Sequence, residues 1–266
     1  MKRTAGAIFV ALTIACLIGP AIAGAFGLDA TAIDPQLGAT PPSLAHWFGT
    51  DTLGRDMLVR VLIGGRIALA VALVTTLIAV AIGVSYGAIA AYAGGRIDAV
   101  LMRIVDALYG FPALVFIIVV MAITGSRSLL ALFALIGSIS WLTMARLTRG
   151  QVLSLRHGEL AVAARALGAS PARILARHIL PNAAGPVIVY ATLVLPQVML
   201  TEAFLSFLGL GVQAPLASWG TLVTEGSAQI VVYPWLLVCP ALVMAIAILA
   251  LNFVGDGLRR RRDQAR

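Results

Sequence analysis

Residues 67–91 read IALAVALVTTLIAVAIGVSYGAIAA, an apolar run with no charged side chain. About 20 such residues in a helix cross the ~30 Å hydrocarbon core of a bilayer. Lipid offers no partner to a free backbone N–H or C=O, so the run is expected as a membrane-spanning helix. The same reading picks out five more runs: Ala5–Phe26, Ile104–Thr124, Leu129–Leu147, Ala183–Leu208 and Val232–Val254. The expected fold class is an all-α integral membrane protein with six transmembrane helices.

Composition agrees. The chain has 266 residues, 61% hydrophobic and 11% charged. A soluble domain runs at roughly 45–50% apolar and about 25% charged. Too few charges remain to cover a water-exposed globule, and a disordered chain is excluded by the same figures. Cys16 and Cys239 both lie in apolar runs, so no disulfide framework is expected.

Charge sets the expected orientation. With the N-terminus inside, the inner segments hold Lys2, Arg3, Arg96, Arg103, Arg146, Arg149, Arg156, Arg165, Arg173, Arg177, Arg259–Arg262 and Arg266, which is 15 of the 19 basic residues. Arg55, Arg60, Arg66 and Arg127 fall outside, with Asp29, Asp34, Asp51, Asp56 and Glu225. Both termini are thus expected in the cytoplasm. The net charge of +8 is a topology signal; a nucleic-acid surface would need one continuous basic face. Trp47, Trp219 and Trp235 fall near the expected outer boundaries, as interfacial aromatics do, and Trp141 is expected to pack between helices. Met1-Lys2-Arg3 before an apolar run and Ala21-Ile22-Ala23 also fits a cleavable signal peptide. The run is long for that role, so a retained first span is the reading adopted.

Three domains are expected: 1–61, the first span with an outer segment; 62–258, the core; and 259–266, a basic tail suited to anionic lipid. The inner segment 148–182 carries the most information. Leu160, Ala163, Ala164 and Leu167 lie at i, i+3, i+4 and i+7, the spacing of one helical face. Glu159 suits the first turn and Gly168 the C-terminal cap. Ser170-Pro171 reads as N-cap plus first helical residue, with a second short helix through Ile174, Leu175 and Ile179 that Leu180-Pro181 ends. From pattern alone the segment is either a connector on the membrane surface or a docking element for a cytoplasmic partner.

Motifs for chemistry are weak. A P-loop needs a lysine after its glycines, and Lys2 is the chain's one lysine, so no ATP site is expected here. Gly83-Val84-Ser85-Tyr86-Gly87 matches G-x-S-x-G but lies inside a span, where the same glycines are a G-x-x-x-G helix-packing pattern. His46, His157 and His178 are too scattered for a metal site, and neither a cofactor nor enzyme activity is expected. Glu202, an acid in the fifth span, is a candidate for the translocation path, for gating, or for holding a turn near Gly209 and Gly211, with Ser206 one turn on. Asp106, followed by Gly110-Phe111-Pro112, is a second path candidate or an interfacial charge at a kink. Asp51, Arg55 and Asp56 are candidates for contact with an outer protein, or pair with each other.

The string Val162-Ala163-Ala164-Arg165-Ala166-Leu167-Gly168-Ala169-Ser170, then Arg177-His178-Ile179-Leu180-Pro181-Asn182, resembles the EAA loop of permeases in binding-protein-dependent ABC importers. Gly49-Thr50-Asp51-Thr52-Leu53-Gly54-Arg55-Asp56, Glu202–Gly211, Pro215, Ser218-Trp219-Gly220 and Asn252–Arg259 are similar to the dipeptide/oligopeptide/nickel branch. Met144-Ala145-Arg146 and Arg149–Leu155 look closest to its oligopeptide members.

The resemblance covers roughly 46–259 and implies a type I importer permease fold in a bacterial inner membrane. It implies a second, similar permease, two ABC ATPase subunits beneath, and a periplasmic or lipid-anchored substrate-binding protein above. It implies a coupling helix over Glu159 to Gly168, with Ala163, Ala164, Leu167, Gly168 and Pro181 among its contacts. Its expected cargo is a peptide; nickel or another small solute is the alternative within the branch, and an ion-coupled secondary transporter the alternative outside it. Two features depart from the family pattern. Val162 stands where the loop's glutamate is usual, with Glu159 one turn earlier, and the run Arg259–Arg262 replaces the usual mixed-charge ending. Shifting a two-state equilibrium from 1:99 to 99:1 takes about 5.5 kcal/mol of differential binding, so a coupling helix would act within a larger contact.

Overall fold

The computed structural model describes residues 2–27, 30, 32–125 and 128–263. Asp29, Arg127 and Arg266, three of the charges behind the expected orientation, lie outside the described residues. The chain is helical: α1 (Lys2–Ala25), α2 (Met57–Ala93), α3 (Gly95–Tyr109), α4 (Ala113–Thr124), α5 (Leu129–Leu155), α6 (Glu159–Ala166), α7 (Pro171–Ile174), a π-turn (Leu175–Ile179), α8 (Leu180–Phe207), α9 (Trp219–Ser227) and α10 (Trp235–Asp263). No strand occurs among the described residues. Two compact units form, one from Met1–Leu73, Thr124–Leu132 and Leu195–Val254, the other from Val74–Ile123, Phe133–Val194 and Gly255–Arg266.

Among the described residues five helices are long and apolar enough to cross a bilayer: Thr4–Ala25, Met57–Ala93, Leu129–Leu155, Pro171–Phe207 and Trp235–Arg260. The sixth expected span, Ile104–Thr124, is not one helix. It is the end of α3 followed by α4, and the two bend by 75°. Pro112 supplies no N–H and restricts Phe111 to extended backbone, so α3 stops at Gly110. Pro112 then opens α4 by accepting from Phe116 N–H at 3.0 Å. The fifth span also differs from expectation. Pro181 does not end the short helix; the chain runs helically from Pro171 to Phe207. The π-turn immediately before Pro181 shifts the hydrogen-bond register where a proline cannot donate, so the axis continues.

In the first unit, Trp219 is not interfacial. Its ring is wholly buried, and its Nε1 donates to Val61 O at 2.8 Å. A ring of that size anchors a core through its buried area, and its one donor is satisfied. Trp235 is half-buried and donates to Thr50 O at 3.1 Å, while Trp47 stays 70% exposed. Arg66 ties α1 to α2, donating through Nε to Cys16 O at 2.8 Å and through Nη2 to Leu17 O at 2.7 Å.

In the second unit, α2 packs closely on α5 at its Gly83/Gly87 face. A Cβ on Gly87 would sit 2.2 Å from Ala145 O, so only glycine permits this approach. Tyr86 meets Trp141 edge to face at 4.8 Å and donates to Leu101 O at 2.9 Å. Ser85, central to the hydrolase-like pattern, spends its hydroxyl on Ala81 O of its own helix. Gly87→Val should force α2 from α5 and destabilise the protein by about 1–3 kcal/mol, as overpacking does. Thermal unfolding of the detergent-purified chain measures this, and an unchanged midpoint would contradict the packing role.

Candidate functional site

Helix α6 begins at Gly158, which offers no capping side chain, and carries Glu159 in its first turn, where a carboxylate suits the dipole. It closes with two bonds, Gly168 N–H to Arg165 O and Ala169 N–H to Ala164 O, each 3.0 Å. This pair is the Schellman closure, and it needs the left-handed backbone that Gly168 adopts at φ +79°. Ser170 then caps α7, accepting from Arg173 N–H, with Pro171 at the first helical position.

The buried side of α6 is Ala161 and Ala164. They join Ala88 and Ala91 of α2, Val152 of α5, Ile174 of α7 and Ile179 of the π-turn in one apolar cluster. Arg156 adds a bond from Nη1 to Ala91 O at 2.8 Å. The expected face of Leu160, Ala163, Ala164 and Leu167 is therefore split. Ala164 packs inward, whereas Ala163, Leu160 (65%) and Leu167 (88%) point out with Val162 (51%). Alanines at i and i+3 let the short helix lie close against α2. The result is an outward apolar patch on a small, firmly seated helix. Beside it, Glu159, Leu160, His178 and Asn182 border a cavity of about 290 Å³. Pro181 is exposed just past the π-turn.

Outside α6, Asp98 holds Arg149 through two parallel bonds of 2.6 and 2.7 Å, joining the start of α3 to α5. Hydrogen bonding to the guanidinium of Arg149 is the chief stabiliser of the Asp98 carboxylate. Asp106 is exposed and pairs with Arg146 at 2.6 Å.

The segment between α1 and α2 is built around buried carboxylates. Asp51 accepts from Leu53 N–H, Arg55 N–H, Arg55 Nε and Arg60 Nη1, at 2.6–3.0 Å. Arg60 reaches on to Glu225 at 2.9 Å. Asp56 caps α2 by accepting from Val59 N–H and pairs with His46 Nδ1 at 2.8 Å. Of the three outer candidates, Asp51 and Asp56 face inward and Arg55 keeps an exposed portion. Arg60, Glu225 and His46 were missed from sequence. Arg60 and Glu225 stand 165 positions apart, and no local pattern joins them.

Glu202 is 1% exposed. Its Oε1 accepts from Ser206 Oγ at 2.8 Å and from Ser218 Oγ at 2.7 Å. Ser218 caps α9, with Thr221 closing the capping box. The carboxylate thus latches α8 to the start of α9. Among the described residues no three His, Cys, Asp or Glu side chains are placed to hold a metal.

This is the architecture of a helical permease: long apolar spans, one of them broken, with a short seated helix on an inter-span loop. Residues 83–266 match the family model for the binding-protein-dependent transport system inner membrane component. The oligopeptide transport system permease protein OppC of Haemophilus influenzae is 47% identical over 218 residues, 82% of this chain and 70% of that protein. OppC of Escherichia coli K12 is 43% identical over 256 residues, 96% and 84% of the two chains. The dipeptide transport system permease protein DppC of Bacillus subtilis is 44% identical over 224 residues, 84% and 70% of the two chains. A chain of the inward-facing MetNI methionine ABC transporter shares the fold, with a TM-score of 0.63 at 20% identity over 77% of this chain and 97% of that one. The chain belongs to the family of binding-protein-dependent transport system inner membrane components, and it is a multi-pass inner-membrane protein.

Glu202→Ala should leave two buried serine hydroxyls without their acceptor and cost about 2 kcal/mol. Glu202→Gln keeps a carbonyl acceptor and should cost less. Thermal unfolding of both variants checks the order; equal stability of Ala and wild type would remove the latch.

Proposed function

We propose that this chain is one permease subunit of an ABC importer that takes up peptides, powered by ATP hydrolysis on separate subunits. The observation that carries the reading is α6, seated by its alanines on α2 and α5 and showing Leu160, Val162 and Leu167 outward. An exposed apolar patch on a firmly held helix suits a partner's groove. The peptide cargo rests on relatives named for oligopeptide and dipeptide transport at 43–48% identity.

In this reading α6 and Gly168 face the cytoplasm and dock on an ATPase. A second permease completes the path, and a binding protein delivers cargo from outside to the Arg55 end. The chain itself performs no covalent chemistry. Its work is mechanical. The cluster of Ala161, Ala164, Ala88, Ala91 and Val152 passes movement of α6 to α2 and α5. The π-turn next to α6 gives the start of α8 a weak point where that movement can bend the span. Val162, where the family's glutamate is usual, adds apolar surface to the docking patch.

Leu167→Asp replaces an exposed side chain, so folding should be unaffected. Uptake by the complete importer should fall at least about tenfold, since a charge buried in an apolar groove costs more than 1.4 kcal/mol. Gly168→Asp should stop uptake as well. Uptake and ATPase co-purification are measured together, and normal transport by both variants would refute docking through α6.

A further inference from the structure

The Asp106–Arg146 pair is unlike the other ion pairs of this chain. Asp98 and Asp51 are enclosed by their arginines, whereas the Asp106 and Arg146 side chains are 59% and 46% exposed. Nη2 of Arg146 donates to Asp106 Oδ1 at 2.6 Å, and the guanidinium lies 4.2 Å above the Tyr109 ring. Its remaining N–H groups have no partner among the described residues. The Tyr109 hydroxyl bonds the Thr143 hydroxyl, and Tyr190 lies near the same threonine. An arginine, two phenols and a threonine from α3, α5 and α8 therefore make one polar patch. Charges exposed on a membrane span face a water-filled path or protein and not lipid.

One turn further along the same helices, at the break between α3 and α4, is an apolar cavity of about 270 Å³. Leu108, Phe111, Phe116, Ser138, Ile139 and Leu142 line it. Its size suits one side chain. An arginine with free donors beside an apolar pocket is the pattern that recognises a carboxylate carrying an apolar group.

We propose that Arg146 and this cavity form a transfer subsite for the C-terminal residue of the transported peptide. The carboxylate sits on the Arg146 guanidinium and the apolar side chain enters the Leu108–Phe116–Ile139 cavity. Asp106 and Tyr109 are positioning residues: one fixes the guanidinium laterally, and the other supports it from below. The inference rests on the reading of this chain as a peptide importer.

The test is uptake by the complete importer, with its binding protein and ATPases, of peptides ending in a free carboxylate and of the same peptides amidated. The binding protein has its own preference, but it is common to wild type and variant. A change in the free-to-amidated uptake ratio therefore reports the permease. Arg146→Gln should lower the ratio about tenfold, the loss of a charged bidentate partner. Arg146→Lys, which keeps the charge and the Asp106 partner, should lower it less. Ile139→Trp, which fills the cavity, should reduce uptake of peptides ending in Leu or Phe more than of those ending in Gly.

A ratio equal to wild type in whichever arginine variant assembles overturns the proposal, whatever the total uptake. So does a charge-reversed pair, Asp106→Arg with Arg146→Asp, that restores both uptake and the wild-type ratio. A wild-type complex that moves no peptide at all would instead remove the functional reading. A wild type that moves peptides, with the ratio indifferent to position 146, removes this inference alone.

Discussion

The seat of Ala161 and Ala164 on Ala88, Ala91 and Val152 is the contact on which everything else turns. Small side chains let α6 approach the C-terminal ends of α2 and α5 closely. Close packing makes the contact stiff, because protein interiors deform little. The larger apolar residues of α6 are left outside, available to a partner. One short helix thus has one face packed on the spans and an exposed apolar face, which the proposed docking uses. The Schellman closure at Gly168 and the capping at Ser170 hold the turn between α6 and α7 without help from a partner.

The rest of the chain makes polar groups tolerable in an apolar fold. Asp51, Asp56 and Glu202 are each buried, and each accepts at least two hydrogen bonds. A buried pair of this kind adds little net stability over an apolar replacement, but removing one partner is costly. These networks therefore fix geometry: the segment between α1 and α2 against α2 and α9, and α8 against α9. The Arg149–Asp98 fork does the same for α3 on α5.

Much of the architecture was legible from hydropathy. The spans at α1, α2, α5, α8 and α10 follow from apolar runs that must satisfy their backbones internally. The errors have local physical causes. The expected third span began at Ile104 because Arg96, Asp98 and Arg103 interrupt the apolar run, whereas α3 already starts at Gly95. Proline at 181 was read as a terminator because a π-turn cannot be foreseen from residue types. Trp219 was placed at the interface because its burial depends on Val61, 158 positions away. On α6 the spacing fitted two faces, and residue size, not period, decided which one packs. The extent of α6 and its closure at Gly168 were within reach of pattern. The Asp51–Arg55 pair was one of the two sequence alternatives. The partners of Asp106 and Asp98 were not legible, since Arg146 and Arg149 lie 40 and 51 positions away.

The most direct measurement concerns Leu167 in living cells. A Leu167→Cys chain, in a background lacking Cys16 and Cys239, is treated with a membrane-impermeant thiol reagent. In inverted membranes the site should label, and co-expressed ATPase should protect it. In intact cells it should stay unlabelled. Labelling from the outer side, or labelling indifferent to the ATPase, would contradict the account.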